Sequence, residues 1–163
     1  MTSLYITPKA WKQIELSVRN NPSLETGGIL MGYALNDKEW LITYASDPGP
    51  KAVRHPNAIL FDDDHLRRLV RKLSRRQRWQ YIGDWHSHTI KRLTPSKGDR
   101  RTIWTKANQS LYMSSSPIML IVGLNRQDKL QARAFILENS LREVEKVELA
   151  TRRSLRQRDG KSP

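Results

Sequence analysis

The chain has 163 residues and carries 29 lysines and arginines against 16 aspartates and glutamates, a formal charge of +13 at pH 7, with no cysteine. Such a length fits one domain around one core, and the missing cysteines exclude thiolate nucleophiles, disulfides and cysteine-ligated zinc, so nitrogen and oxygen must hold any metal. No apolar run approaches the roughly 18 residues of a spanning helix, and no basic stretch followed by an apolar core stands near the N-terminus, so the expected location is the cytoplasm, with no membrane partner.

Thr7-Pro8 predicts a helix start, because threonine caps free N–H groups and proline fits the first helical position. Trp11, Ile14 and Val18 continue it at helical spacing until Asn20, Asn21 and Pro22 end it. From Gly27 through Leu35 the run predicts a buried strand, Asn36-Asp37 a turn, and Trp40 to Ala45 its hairpin partner. A loop at Asp47 to Pro50 follows. Asp62, Asp63 and Asp64 then mark the N-terminus of a second helix with the apolar stripe Leu66, Leu69, Val70 and Leu73. Its other face carries Arg67, Arg68, Arg71, Lys72, Arg75 and Arg76 and is read as solvated, the long side chains covering apolar stems.

Trp79 to Trp85 predicts a strand that ends on two histidines, and Ser96 begins another helix. Pro117 to Leu124 reads as a fully buried strand and Asn125 to Asp128 as a turn into a strand from Leu130 to Leu137. Helices interleave with strands, an α/β pattern. Beyond Glu138 the signals weaken: Ser140 and Glu143 resemble a capping box, while Val144, Val147 and Leu149 keep neither period. Residues 1–150 are expected to form the domain, and 151–163 a disordered basic tail. Trp11, Trp40, Trp79 and Trp104 read as core or half-buried residues, Trp85 as packing beside the first histidine, and His55 and His65 as structural or exposed.

The chemistry concentrates after the histidine strand. In extended backbone, residues two apart project to one side, so His86 and His88 offer imidazole nitrogens to one point while Ser87 faces away. On a helix, Ser96 and Asp99 share a face, and a helix abutting the strand end brings a carboxylate oxygen to the same point. Two histidines and an aspartate suit zinc and leave a position open for water, whose pKa an ion there lowers to about 7. Glu25, just before Gly27-Gly28, is the candidate base, and Ser96 the candidate donor to a developing oxyanion.

The residues Leu24-Glu25-Thr26-Gly27-Gly28-Ile29-Leu30-Met31-Gly32, then His86-Ser87-His88, seven residues, Ser96, two residues and Asp99 resemble the JAB/MPN (JAMM) zinc metallopeptidase family. All five functional positions of its pattern are present. The resemblance implies a single MPN-like domain with a mixed central β-sheet flanked by helices. It implies one Zn2+ per chain on His86, His88 and Asp99, with Glu25 as general base and Ser96 as oxyanion donor. One departure is Thr89, where many members have proline, which bears on the loop from Ile90 to Pro95.

Tyr81-Ile82-Gly83-Asp84-Trp85-His86-Ser87-His88 is most similar to the small bacterial deconjugating peptidases, including those of CBASS antiphage operons. This implies an isopeptidase that cleaves after the C-terminal residue of a ubiquitin-like or CD-NTase-type conjugate, with the neighbouring conjugating enzymes as further partners. A peptidase of another bacterial ubiquitin-like pathway is the alternative. So is a basic nucleic-acid-binding protein of the same fold, which the charge favours and the lack of any recognised base-reading motif opposes.

Overall fold

The computed structural model describes residues 1–108 and 116–159. In chain order its elements are β1 (Ser3–Ile6), α1 (Pro8–Asn20), β2 (Gly27–Asn36), β3 (Glu39–Ala45), β4 (Val53–His55), β5 (Ala58–Leu60), α2 (Asp63–Gln77), β6 (Gln80–Ser87), α3 (Lys97–Ala107), β7 (Ile118–Leu124), β8 (Leu130–Leu137), β9 (Leu141–Glu143), β10 (Lys146–Leu149) and α4 (Arg152–Asp159). Eight strands form one mixed sheet in the order β10-β1-β3-β2-β6-β7-β8-β9, and β4 and β5 form a separate hairpin. The expected α/β domain with a mixed central sheet between helices is what the chain adopts.

The sheet is buried on both faces, and alternate residues of its central strands go to different helices. Ile118, Leu120 and Val122 of β7 join Ala10, Ile14 and Val18 of α1 in the main core, while Met119 and Ile121 pack with Ile103 of α3 on the opposite side. On that second face Ile29 and Met31 of β2 meet Leu66 and Val70 of α2. A strand covered on both sides reads as a continuous apolar run, which is the pattern of 117–124. The helix starts follow the expected chemistry: Thr7 accepts from the Ala10 N–H at 3.2 Å, Asp62 caps α2 through the His65 N–H, and Ser96 caps α3.

Some expectations are corrected. The Ser140–Glu143 capping box is not a helix start; Leu141–Glu143 pairs antiparallel with β8 and Lys146–Leu149 pairs parallel with β1. Sheet edges offer unpaired N–H and C=O groups, and that pairing outweighs a weak local cap signal. Within the expected disordered tail, Arg152–Asp159 is helical, started by Thr151 and Ser154, each of whose hydroxyls accepts the other's backbone N–H; residues 160–163 of that tail lie outside the described residues. Trp104 is 53% exposed on the outer side of α3 rather than in the core. Strand β1 and the β4–β5 hairpin had no reading in the sequence. No helix among the described residues is long and apolar enough to cross a membrane.

Candidate metal centre

Strand β6 delivers the histidines. It pairs antiparallel with β2, with Gly27 opposite His86, and parallel with β7, with His86 opposite Ile121. The ladder continues past the strand end, where the His88 N–H donates to the Val122 carbonyl at 2.9 Å. Trp85 and Ser87 point to the α1 side: Trp85 is fully buried in the main core and its indole N–H donates to the Ser46 carbonyl at 2.9 Å. His86 and His88 therefore project to the side of α2 and α3.

Helix α3 delivers the aspartate. Its first turn is a capping box: the Asp99 N–H donates to Ser96 Oγ at 3.0 Å and the Ser96 N–H donates to Asp99 Oδ2 at 2.8 Å. The same Oδ2 stands 3.2 Å from His86 Nε2 and 3.2 Å from His88 Nε2, and the two Nε2 atoms are 3.1 Å apart. Three ligand atoms thus form a nearly equilateral triangle. A tetrahedral zinc with bonds of about 2.05 Å sets its ligand atoms about 3.3 Å apart, so the triangle fits one ion with a fourth position free.

The donor chemistry agrees. His88 Nδ1 lies 2.8 Å from the Arg92 carbonyl, which can only accept, so Nδ1 carries a proton and Nε2 turns toward the triangle. Burial works to raise the Asp99 carboxyl, but the facing imidazoles of His86 and His88 and the hydrogen bond from the Ser96 N–H outweigh it and hold the group well below the ordinary carboxylate range. Burial likewise works to lower His88, but Asp99 and the Arg92 carbonyl outweigh it, leaving the imidazole above its ordinary value. The cluster attracts positive charge.

Glu25 comes to the same place by another route. Its own N–H donates to the His55 carbonyl at 2.8 Å. The next residue is latched to the histidine strand, because the Thr26 N–H donates to Ser87 Oγ at 2.9 Å and the Ser87 N–H donates to the Thr26 carbonyl at 2.8 Å. Gly27 follows where a Cβ would stand 2.4 Å from the Trp85 carbonyl oxygen, so only glycine permits this approach. Glu25 is 6% exposed. Burial raises its carboxyl above the ordinary range, with Asp99 adding to the rise and His86 and His88 working against it.

Glu25, His86, Ser96 and Asp99 line one cavity of about 390 Å³ that runs between the β4–β5 hairpin and α3. Four of the five residues singled out in the sequence therefore line one cleft, and the fifth, His88, stands beside them with its Nε2 3.1 Å from His86 Nε2 and 3.2 Å from Asp99 Oδ2. Ser96 sits at its rim with its hydroxyl proton still to donate, since the Oγ lone pair takes the Asp99 N–H. His55 is exposed and His65 half-buried, and neither reaches the cluster.

Sequence reasoning missed the far end of this cavity. There Lys106 of α3 pairs with Asp84 of β6, and the Tyr81 hydroxyl donates to the other Asp84 oxygen at 2.7 Å. The Lys106 ammonium lies 4.4 Å from the centre of the Phe61 ring, and burial pushes its pKa down to about 8 against the opposing pull of Asp63. Spacing held the clue to two of them: Asp84 is one same-face step before His86, and Lys106 is two helical turns after Asp99. Tyr81 had no such clue. A bulge in β6 sets Leu30 opposite Gly83 but Met31 opposite Tyr81, skipping Ile82, and this reverses the alternation so that Tyr81 shares the Asp84 face.

The chain matches the profile of prokaryotic homologs of the JAB domain over residues 7–136. It is 31% identical over 104 residues to a curated relative from Sinorhizobium fredii (strain NBRC 101917 / NGR234) named "Probable metalloprotease y4qB", covering 61% of this chain and 62% of that protein. The match therefore spans less than two thirds of that relative's length. The solution structure of protein DSY2949 from Desulfitobacterium hafniense has a TM-score of 0.69 and 20% identity, over 90% of this chain and 92% of that one, a likeness of fold.

Proposed function

The chain belongs to the family of prokaryotic JAB-domain homologs, and from that premise we propose that it is a zinc-dependent peptidase that removes a conjugated protein by cutting after that protein's C-terminal residue. The observation that carries the reading is the 3.1–3.2 Å triangle of His86 Nε2, His88 Nε2 and Asp99 Oδ2, with a buried carboxyl in the same cavity. The triangle has the size of a zinc site with one position free, which is the arrangement hydrolytic zinc sites share.

His86, His88 and Asp99 would hold the ion, which when bound supplies Lewis acidity to a water and to the scissile carbonyl. Glu25 accepts a proton from the water that attacks the carbonyl carbon. The carbon–nitrogen bond then breaks, and the Glu25 carboxyl returns the proton to the departing amine. Burial raises its carboxyl, so Glu25 takes up the water's proton more readily than an exposed carboxylate and holds it until the departing amine, a stronger base, accepts it. Ser96 donates its hydroxyl proton in a hydrogen bond to the oxygen that gains charge as the carbonyl carbon becomes tetrahedral.

The substrate class is a ubiquitin-like or CD-NTase-type protein joined through its C-terminus to an amine, and the setting is a bacterial conjugation system such as that of CBASS antiphage operons. Support for it is the likeness of Tyr81 to His88 and of Glu25 to Gly32 to small bacterial deconjugating peptidases. A candidate nucleotidyltransferase fused at its C-terminus to a reporter tests this directly. Cleavage at the junction by the zinc-loaded chain, abolished by chelator and by Glu25→Ala, is the expected result. An uncleaved fusion, beside cleavage of a ubiquitin-like protein fused to the same reporter, would move the assignment to another conjugation pathway.

A further inference from the structure

Strand β6 and helix α3 face each other across the cavity as two ladders of side chains. Along β6 and the residue just past its end, Asp84, His86 and His88 recur at every second residue; on α3, Asp99, Thr102, Ile103 and Lys106 recur at the spacing of one helical face. At one end Asp99 meets the histidine pair, and at the other Lys106 meets Asp84. The two ends are different in kind. One is built to take an ion, whereas the other is already closed by an internal cation.

A lysine only 7% exposed calls for a reason. Desolvating two charges costs much of what their attraction returns, so a buried ion pair is a poor source of net stability, and a pair of apolar side chains in place of both Lys106 and Asp84 would hold the helix as firmly. What the pair adds is direction. Ile103 and Lys106 are the buried residues of α3, and an isoleucine contact tolerates sliding along the sheet. An ammonium on one Asp84 oxygen, with the Tyr81 hydroxyl on the other, has a single satisfied arrangement.

Metal sites are unforgiving of such sliding. Ligand distances must hold to about 0.2 Å, while a slip of α3 by one residue carries Asp99 about 1.5 Å along the helix axis. Lys106 lies about 10 Å from Asp99 along that axis, and Asp84 about 7 Å from His86 along the strand, so a fix at one end is transmitted by one short rigid helix to the other.

Resting on the zinc reading of the site, we propose that Lys106 is a positioning residue of the metal centre: through Asp84 and Tyr81 it sets the register of α3 against β6, so that Asp99 stands in place before an ion arrives.

The test uses the full chain and Zn2+ alone as probe, with affinity read by competition against a chromogenic chelator. Lys106→Met should weaken zinc binding roughly 10- to 100-fold, the range seen when groups that orient metal ligands are removed, and should also lower the melting temperature of the metal-free protein, because Asp84 is left buried without its cation. In an Asp99→Ala background, Lys106→Met should cost no further affinity, because the residue acts through Asp99. A Lys106→Met chain that binds zinc as the parent does, or that loses affinity equally in both backgrounds, overturns the inference. Should Lys106→Met fail to fold, Tyr81→Phe, which removes one hydrogen bond and keeps the ring, carries the same comparison with a smaller, few-fold loss expected and the same outcome overturning it. If the parent chain takes up no zinc, or if Asp99→Ala leaves its affinity unchanged, the reading of the metal centre falls first; if parent affinity depends on Asp99 and not on Lys106, only the positioning role falls.

Discussion

Ser87 Oγ accepts the Thr26 N–H at 2.9 Å, so the residue between the two histidines holds the residue that follows the glutamate. Both residues are buried, Ser87 at 3% and Thr26 at 0% exposure. A side chain that cannot reach the ion thereby ties the two halves of the site together. Replacing Ser87 by alanine strands a buried N–H, at a cost of about 1–3 kcal/mol. The expected result is a lower denaturation midpoint and reduced turnover with zinc content unchanged; an Ser87→Ala chain as active as the parent would show that Glu25 is placed by other contacts.

Glu25→Gln keeps shape and removes the base. Turnover should fall by ~10²–10⁴ while metal analysis still finds zinc, since Glu25 is outside the ligand triangle. Loss of the metal together with the activity would make Glu25 a ligand.

The same variant carries a pH signature in the metal-free protein. Burial raises the folded-state pKa of Glu25 above its unfolded value, so the native state binds the proton more tightly and this contribution to stability is present at low pH and lost as pH rises through the raised value. Glutamine has no such proton. Metal-free Glu25→Gln should therefore gain stability relative to the parent as pH rises from the ordinary carboxylate range toward neutrality, measured by melting temperature at a series of pH values; a difference that is flat or shrinks with pH contradicts the raised carboxyl.

Zinc should stabilise the parent by mass action, about 2.7 kcal/mol at a hundredfold excess over its dissociation constant. His88→Ala and Asp99→Ala each remove one vertex of the triangle and should abolish most of that gain, read as the loss of the zinc-dependent rise in melting temperature. An undiminished rise in either variant would place the ion elsewhere.

Gly28 tests the packing beneath the site. A Cβ there would stand 2.0 Å from the Ser46 carbonyl oxygen, and that carbonyl also receives the Trp85 indole N–H. Gly28→Ala should destabilise the fold by about 1–3 kcal/mol, the range for overpacked positions, and denaturant titration would show it as a lowered midpoint with unchanged slope.

Much was legible in the sequence because it is local. Helix starts at Thr7, Asp62 and Ser96 follow from side-chain caps within three residues, and the buried strands from runs of apolar residues. The histidine pair and the Ser96–Asp99 pair follow from the periods of strand and helix. These signals need no knowledge of what lies across the core. Where the local signal was weak, at Ser140–Glu143 and in the tail beyond Ala150, the reading erred, because hydrogen bonding along a sheet edge or within a capped turn decided the outcome.

By itself, then, the sequence determined which side chains could form a site and on which faces of their own elements they stand. Only the tertiary structure decided that these faces meet: that β6 lies between β2 and β7, that the Thr26–Ser87 latch brings Glu25 beside His86, and that a bulge at Ile82 turns Tyr81 toward Asp84. The physical reason is that side-chain direction within one element is set by backbone dihedrals a few bonds away. The distance from Asp99 to the histidines is set instead by packing between segments far apart in the chain, and the buried Lys106–Asp84 pair is visible only once α3 is laid on the sheet.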